Sequence, residues 1–163
     1  MTENVIQLKK NEDILIFKIR DEEGKETGES LEFNLEDIEL PIKYQNIIEE
    51  DKKARAKLKN EFTIIEKKQD HKGKKLLSAN EEAKIKAMQE FYKKEVEIYN
   101  MFLGERGVEK LLNGRKLSWS TLDEIDGIIN EYILPKLEVN AEDIKKKITK
   151  KYSNTDKRDD VIE

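Results

Sequence analysis

The chain contains no cysteine, which removes disulfide staples, thiolate metal sites and a cysteine nucleophile together. A disulfide-framed secreted fold is therefore not expected, and the reading places the protein in a reducing cytoplasm. Histidine occurs once, as His71, inside the lysine-rich run Asp70-His71-Lys72-Gly73-Lys74-Lys75. General acid–base catalysis needs a held partner and a pocket, and neither accompanies it. Prolines are two, Pro41 and Pro135, so long stretches lack the residue that most reliably breaks a helix. Long apolar runs are missing as well. The run Ile14 to Phe17 is too short for a signal sequence, and nothing approaches the roughly 18 apolar residues of a membrane span. Positive charge is not in excess: 36 acids against 32 bases leave a net of -4, so no global field gathers nucleic acid or anionic lipid.

What is present is charge in abundance. Charged residues make up 42% of the 163-residue chain and the hydrophobic set 36%, enough for the thin core of one folding unit with much helix surface in water. The expected fold is mainly α with a small N-terminal β-hairpin, an α+β arrangement whose body has about four to five helices. Residues 1–13 are polar and expected to be loosely held. A single domain spans 14–152, with the hairpin over 14–35 and the helical body over 37–152. A polar tail follows at 153–163.

The hairpin is read from the isoleucine- and phenylalanine-rich Ile14 to Arg20, a glycine-containing turn from Asp21 to Gly28, and the alternation Leu31, Phe33, Leu35. Two strands alone are marginal in water, so the hairpin must pack on the helices or gain strands from a partner. Asp37 caps a turn and Pro41 suits the first turn of a long helix reaching about Gln69. Its stripe of Tyr44, Ile47, Ile48, Leu58, Phe62 and Ile65 is interrupted from Glu49 to Arg55, a stretch expected to be solvated or to touch a partner. After the Asp70 to Lys75 loop, a second helix starts near Ser78 or Asn80. It carries Ile85, Met88, Phe91, Tyr92, Tyr99, Met101, Phe102 and Leu103, and stops at Gly104.

A short helix over Glu105 to Asn113 closes at Gly114. Thr121 and Glu124 stand in capping-box spacing ahead of the strongest amphipathic stripe, Leu122, Ile125, Ile128, Ile129, Tyr132, Ile133 and Leu137. Pro135 is expected to kink or end that helix, and Asn140 to cap a last one.

No residue set assembles into an enzyme site, and no metal or cofactor is implied. The acids at Glu36, Asp37, Glu39 and at Glu49, Glu50, Asp51 lack EF-hand spacing, and Gly104, Gly107 and Gly114 lack P-loop spacing. The lysines at Lys72, Lys74 and Lys75 and from Lys145 to Lys151 are read first as solvated surface, with phosphate contact as the minor reading.

The stretch from Tyr99 to Gly114, Tyr-Asn-Met-Phe-Leu-Gly-Glu-Arg-Gly-Val-Glu-Lys-Leu-Leu-Asn-Gly, resembles a pattern of the tail assembly chaperones of long-tailed phages and phage tail-like particles. In that family an aromatic-leucine-glycine turn leads into a short helix ending near Leu-Asn-Gly. The order of parts is similar too: a β N-terminus with a phrase like Leu31-Glu32-Phe33-Asn34-Leu35, a helical hairpin, this turn, and a closing amphipathic helix. The resemblance runs from about Leu31 to Leu137, on packing motifs. It implies a non-enzymatic prophage or phage protein that binds the tape-measure protein and keeps it soluble during tail assembly, and that forms homo-oligomers. The long charged helix from Tyr44 to Gln69 and the lysine-rich tail depart from the simplest members. Tyr44, Ile47, Ile48 and Tyr92 are the partner-binding candidates. Two other functions stay open: a structural or adaptor protein retained in a phage-like particle, and a nucleic-acid-binding regulator.

Overall fold

The computed structural model describes residues 3–8 and 13–162, with side chains through Lys150. Of the N-terminal stretch expected to be loosely held, residues 1–2 and 9–12 lie outside the described residues. The fold is mainly α with a small antiparallel hairpin, as the sequence pattern implies.

Strands β1 (Ile14–Arg20) and β2 (Glu26–Asn34) pair with Ile14 opposite Asn34 and Phe17 opposite Leu31. The turn between them closes on Asp21, whose Oδ1 accepts the N–H groups of Glu23 and Lys25 at 2.9 Å each. Gly24 takes φ +82° there, a conformation that favours glycine. Alternation turns Leu15, Phe17 and Ile19 of β1, with Leu31 and Phe33 of β2, onto the helices. Ile14 and Ile16 stay exposed on the other face.

Helix α1 (Leu40–Glu66) has Pro41 in its first turn, and the preceding chain is tied by Asp37, whose Oδ1 accepts from Glu39 N–H at 2.9 Å. Helix α2 (Ala79–Leu103) starts in a reciprocal capping box between Ser78 and Glu81 and ends at Gly104 with φ +95°. The helices lie antiparallel. Lys84 meets Glu66 at 2.9 Å beside the connecting loop, and Tyr44 meets Phe102 ring to ring at 5.7 Å at the far end. Asp70 draws the loop together, its Oδ1 accepting the N–H groups of His71 and Asn80. At the far end Phe33 packs on Phe102 at 5.3 Å, which seats the hairpin on the helices.

Gly107 opens the short α3 (Gly107–Leu112) against the end of α2, and Asn100 Oδ1 caps it by accepting from Val108 N–H at 2.8 Å. Helix α4 (Trp119–Ile128) begins earlier than the Thr121–Glu124 pair suggests. Ser118 is the cap, bonded reciprocally with Thr121, which sits inside the first turn and is buried. Pro135 does not end the helical path. A π turn over Ile129–Ile133, closed by Leu134 N–H donating to Ile129 O, carries the chain into α5 (Leu134–Ile162). Widening the turn takes up the misfit of a proline that has no N–H to donate to the preceding turn. Asn140 therefore lies within α5 rather than capping it. Its Nδ2 donates to Leu35 O at 2.6 Å, fastening α5 to the end of the hairpin. The expected polar tail from residue 153 likewise continues as helical backbone to Ile162.

Candidate functional site

Three of the four partner-binding candidates converge. Tyr44, Ile47 and Ile48 of α1, with Ile129 and Asn130 of the π turn, line a half-open cleft of about 160 Å³. The 3.6-residue period explains the split among neighbours: Ile47 turns inward and is buried, while Ile48 lies on the rim and is 42% exposed. Ile47 is thus a core residue at the cleft wall rather than a surface contact. Tyr44 is half-buried, with its Oη 3.4 Å from Asn130 Oδ1 and its hydroxyl pKa raised by burial and by the charges of Glu138 and Asp126. Tyr92 is elsewhere. It packs with Phe91 and Trp119 in an aromatic cluster, its ring 6.1 Å from the indole.

The depth of the cleft is polar, lined by Asp51, Tyr99 and Asp126. Behind these groups lies Glu95, with no exposed surface at all. Arg55 Nε donates to both oxygens of Asp51 at 3.0 Å, and its guanidinium lies 5.3 Å over the Trp119 ring. Burial alone would pull the guanidinium's pKa down, but the hydrogen bond and charge of Asp51 hold it above its ordinary value. Tyr99 Oη donates to Asp126. Burial raises the Tyr99 pKa, and the bond to Asp126 adds to the rise. The Asp126 carboxyl is also raised, by burial first, against the lowering effect of the Tyr99 hydroxyl.

The sequence reading missed this network, although the signal is there. On α1 the inward positions Ile47 and Leu58 are bridged at helical spacing by Asp51 and Arg55. On α2, Phe91 and Ile98 are bridged in the same way by Glu95. The break in the α1 stripe is the inward face continuing through charged residues that pair with one another inside the protein.

Between α1 and α2 runs a second hollow of about 320 Å³, with Ala54, Leu58, Ala87 and Phe91 among its lining and charged side chains such as Glu61 and Lys94 around them. Among the described residues, no group of three or more histidines and carboxylates is placed to hold a metal ion, and no helix is long and apolar enough to cross a membrane. Comparison with known proteins gives no significant match to a family model, a curated protein or a solved structure.

Proposed function

We propose that this chain is a non-enzymatic tail assembly chaperone that binds a long helical client of the tape-measure kind and keeps it soluble until tube subunits polymerise around it. The observation that carries the reading is the gathering of Tyr44, Ile47 and Ile48 at one half-open cleft, with the exposed Ile48 side chain at its rim. An apolar side chain of a client helix packs on Ile48 and Tyr44 at the mouth of such a cleft, and Lys52 and Asn130 meet the polar groups that flank it on an amphipathic helix. Further exposed apolar side chains on the charged body, Ile42 and Tyr132 among them, supply additional modest contacts whose avidity sums along an extended client. The resemblance of Tyr99 to Gly114 to the chaperone family points the same way.

The test is co-expression with a long, helix-rich tape-measure chain, followed by salt-washed affinity recovery through a tag on this protein. Recovery of the client, at least about tenfold reduced by Ile48→Asp, is the expected result. That substitution sets a charge at an exposed apolar contact and leaves the core intact. No recovery, or equal recovery with the variant, rejects the cleft as the client site. A stoichiometric band of this chain in purified particles supports the retained adaptor instead. Recovery of nucleic acid that falls steeply with salt supports the lysine-rich regulator.

A further inference from the structure

Glu95 presents a chemical puzzle. Its side chain is fully buried, yet among the described residues no group donates a hydrogen bond to Oε1 or Oε2. The groups facing it are Asp51 and Arg55 from α1 and Asp126 from α4, with Tyr99 one turn along α2. Arg55 is committed to Asp51, and the Tyr99 hydroxyl to Asp126. A carboxylate at Glu95 would be a charged acceptor facing another acceptor, without a donor of its own, and an arrangement of that kind is costly in a buried site. A proton on Glu95 removes the conflict, because the acid then donates to Asp51 and three carboxyl groups no longer face one guanidinium with full charge.

We infer that Glu95 and Asp51 share a proton, and that losing it loosens the joint of α1, α2 and α4. The chemistry balances with water alone: the Glu95 O–H bond breaks, the proton goes to solvent hydroxide, and the Glu95–Asp51 hydrogen bond is replaced by repulsion. Burial first, then the hydrogen bond and charge of Asp51, raise the Glu95 pKa from 4.5 to about 8, with Arg55 opposing. The rise sets the direction of the linkage. A folded-state pKa above the unfolded one gives stability that is complete below about pH 4.5, declines as pH rises, and is fully lost above about pH 8. Arg55 transmits the change, because the same side chain bonds Asp51 and covers Trp119. The only tryptophan in the chain thus stands beside the latch.

The experiment uses the full chain and its Glu95→Gln variant, whose amide donates to Asp51 as the protonated acid does and cannot ionise. Carboxyl carbon-13 resonances of glutamate-labelled protein are followed over pH, the Glu95 signal being the one missing in the variant. A midpoint near pH 8 is expected, and a midpoint below about 6 overturns the proposal. Chemical unfolding supplies an independent readout. The folding constant of the unsubstituted protein relative to the variant should fall about tenfold per pH unit between about pH 6 and pH 8. A ratio independent of pH also overturns it. Trp119 fluorescence should shift over the same range in the unsubstituted protein, and an identical shift in the variant would assign the change to another group.

Discussion

The Tyr99 hydroxyl donates to the Asp126 carboxylate, joining α2 to α4 across the joint that also holds Glu95. Phenylalanine at position 99 keeps the ring among the core residues and removes only the donor. Asp126, already raised in pKa by burial, loses its neutral partner and keeps the cost of partial desolvation. Tyr99→Phe is expected to destabilise the protein by about 1–3 kcal/mol, read from urea unfolding at neutral pH. Asp126→Asn, which keeps an acceptor for the hydroxyl, should cost less.

Gly107 is required for space. A Cβ built there would sit 2.5 Å from the Leu103 Cβ, closer than packed carbons approach. The clash lies between the end of α2 and the start of α3, where Leu103 and Val108 are both buried. Gly107→Ala should destabilise by about 1–3 kcal/mol through this overpacking, seen as a lower thermal midpoint.

Asn140 fixes α5 to the hairpin through its bond to Leu35 O. Asn140→Ala is expected to cost about 1 kcal/mol, and Asn140→Asp more, because a carboxylate would then face a carbonyl oxygen. Hydrogen exchange should show faster opening of α5 beyond Leu137 in both variants, with α1 and α2 unchanged.

Asp37 gives the acid side of the pH profile. Its bond to Lys43 at 2.9 Å, followed by the bond from Glu39 N–H, lowers its carboxyl below the ordinary 3.8. A lowered folded-state pKa gives stability that is present above about pH 4 and lost as pH falls further. Asp37→Ala should therefore cost under about 1 kcal/mol at neutral pH, since the pair is partly exposed, and less at about pH 3. Unfolding curves of both proteins at the two pH values check this.

Much of the architecture is legible in the residues because it rests on local chemistry. The alternation of Leu31 and Phe33 faces the core, Pro41 lies in the first turn of α1, and Gly104 ends α2 with a positive φ, each for reasons contained within a few neighbouring residues. The start of α4 was misplaced because Ser118 and Thr121 both suit a cap, and only the path of the preceding loop selects Ser118. Pro135 was expected to kink or end its helix. Its local cost is real, but the buried Ile133 and Leu137 on either side hold the helical path and a π turn takes up the misfit.

The candidate site divides along the same line. Tyr44, Ile47 and Ile48 stand out by their apolar character at helical spacing, which a sequence displays. Their meeting with Ile129 and Asn130 needs α1 beside the π turn, and that follows from packing over a long sequence separation. Glu95 is the clearest case. In a chain this rich in acids its identity is unremarkable, and solvation of its charge is the natural expectation. Periodicity and capping determined that the chain would be a strand pair followed by long helices. Only the closing of α1, α2 and α4 around Glu95 excluded water from it and set it against Asp51, because desolvation and the approach of a second carboxyl depend on neighbours distant in sequence.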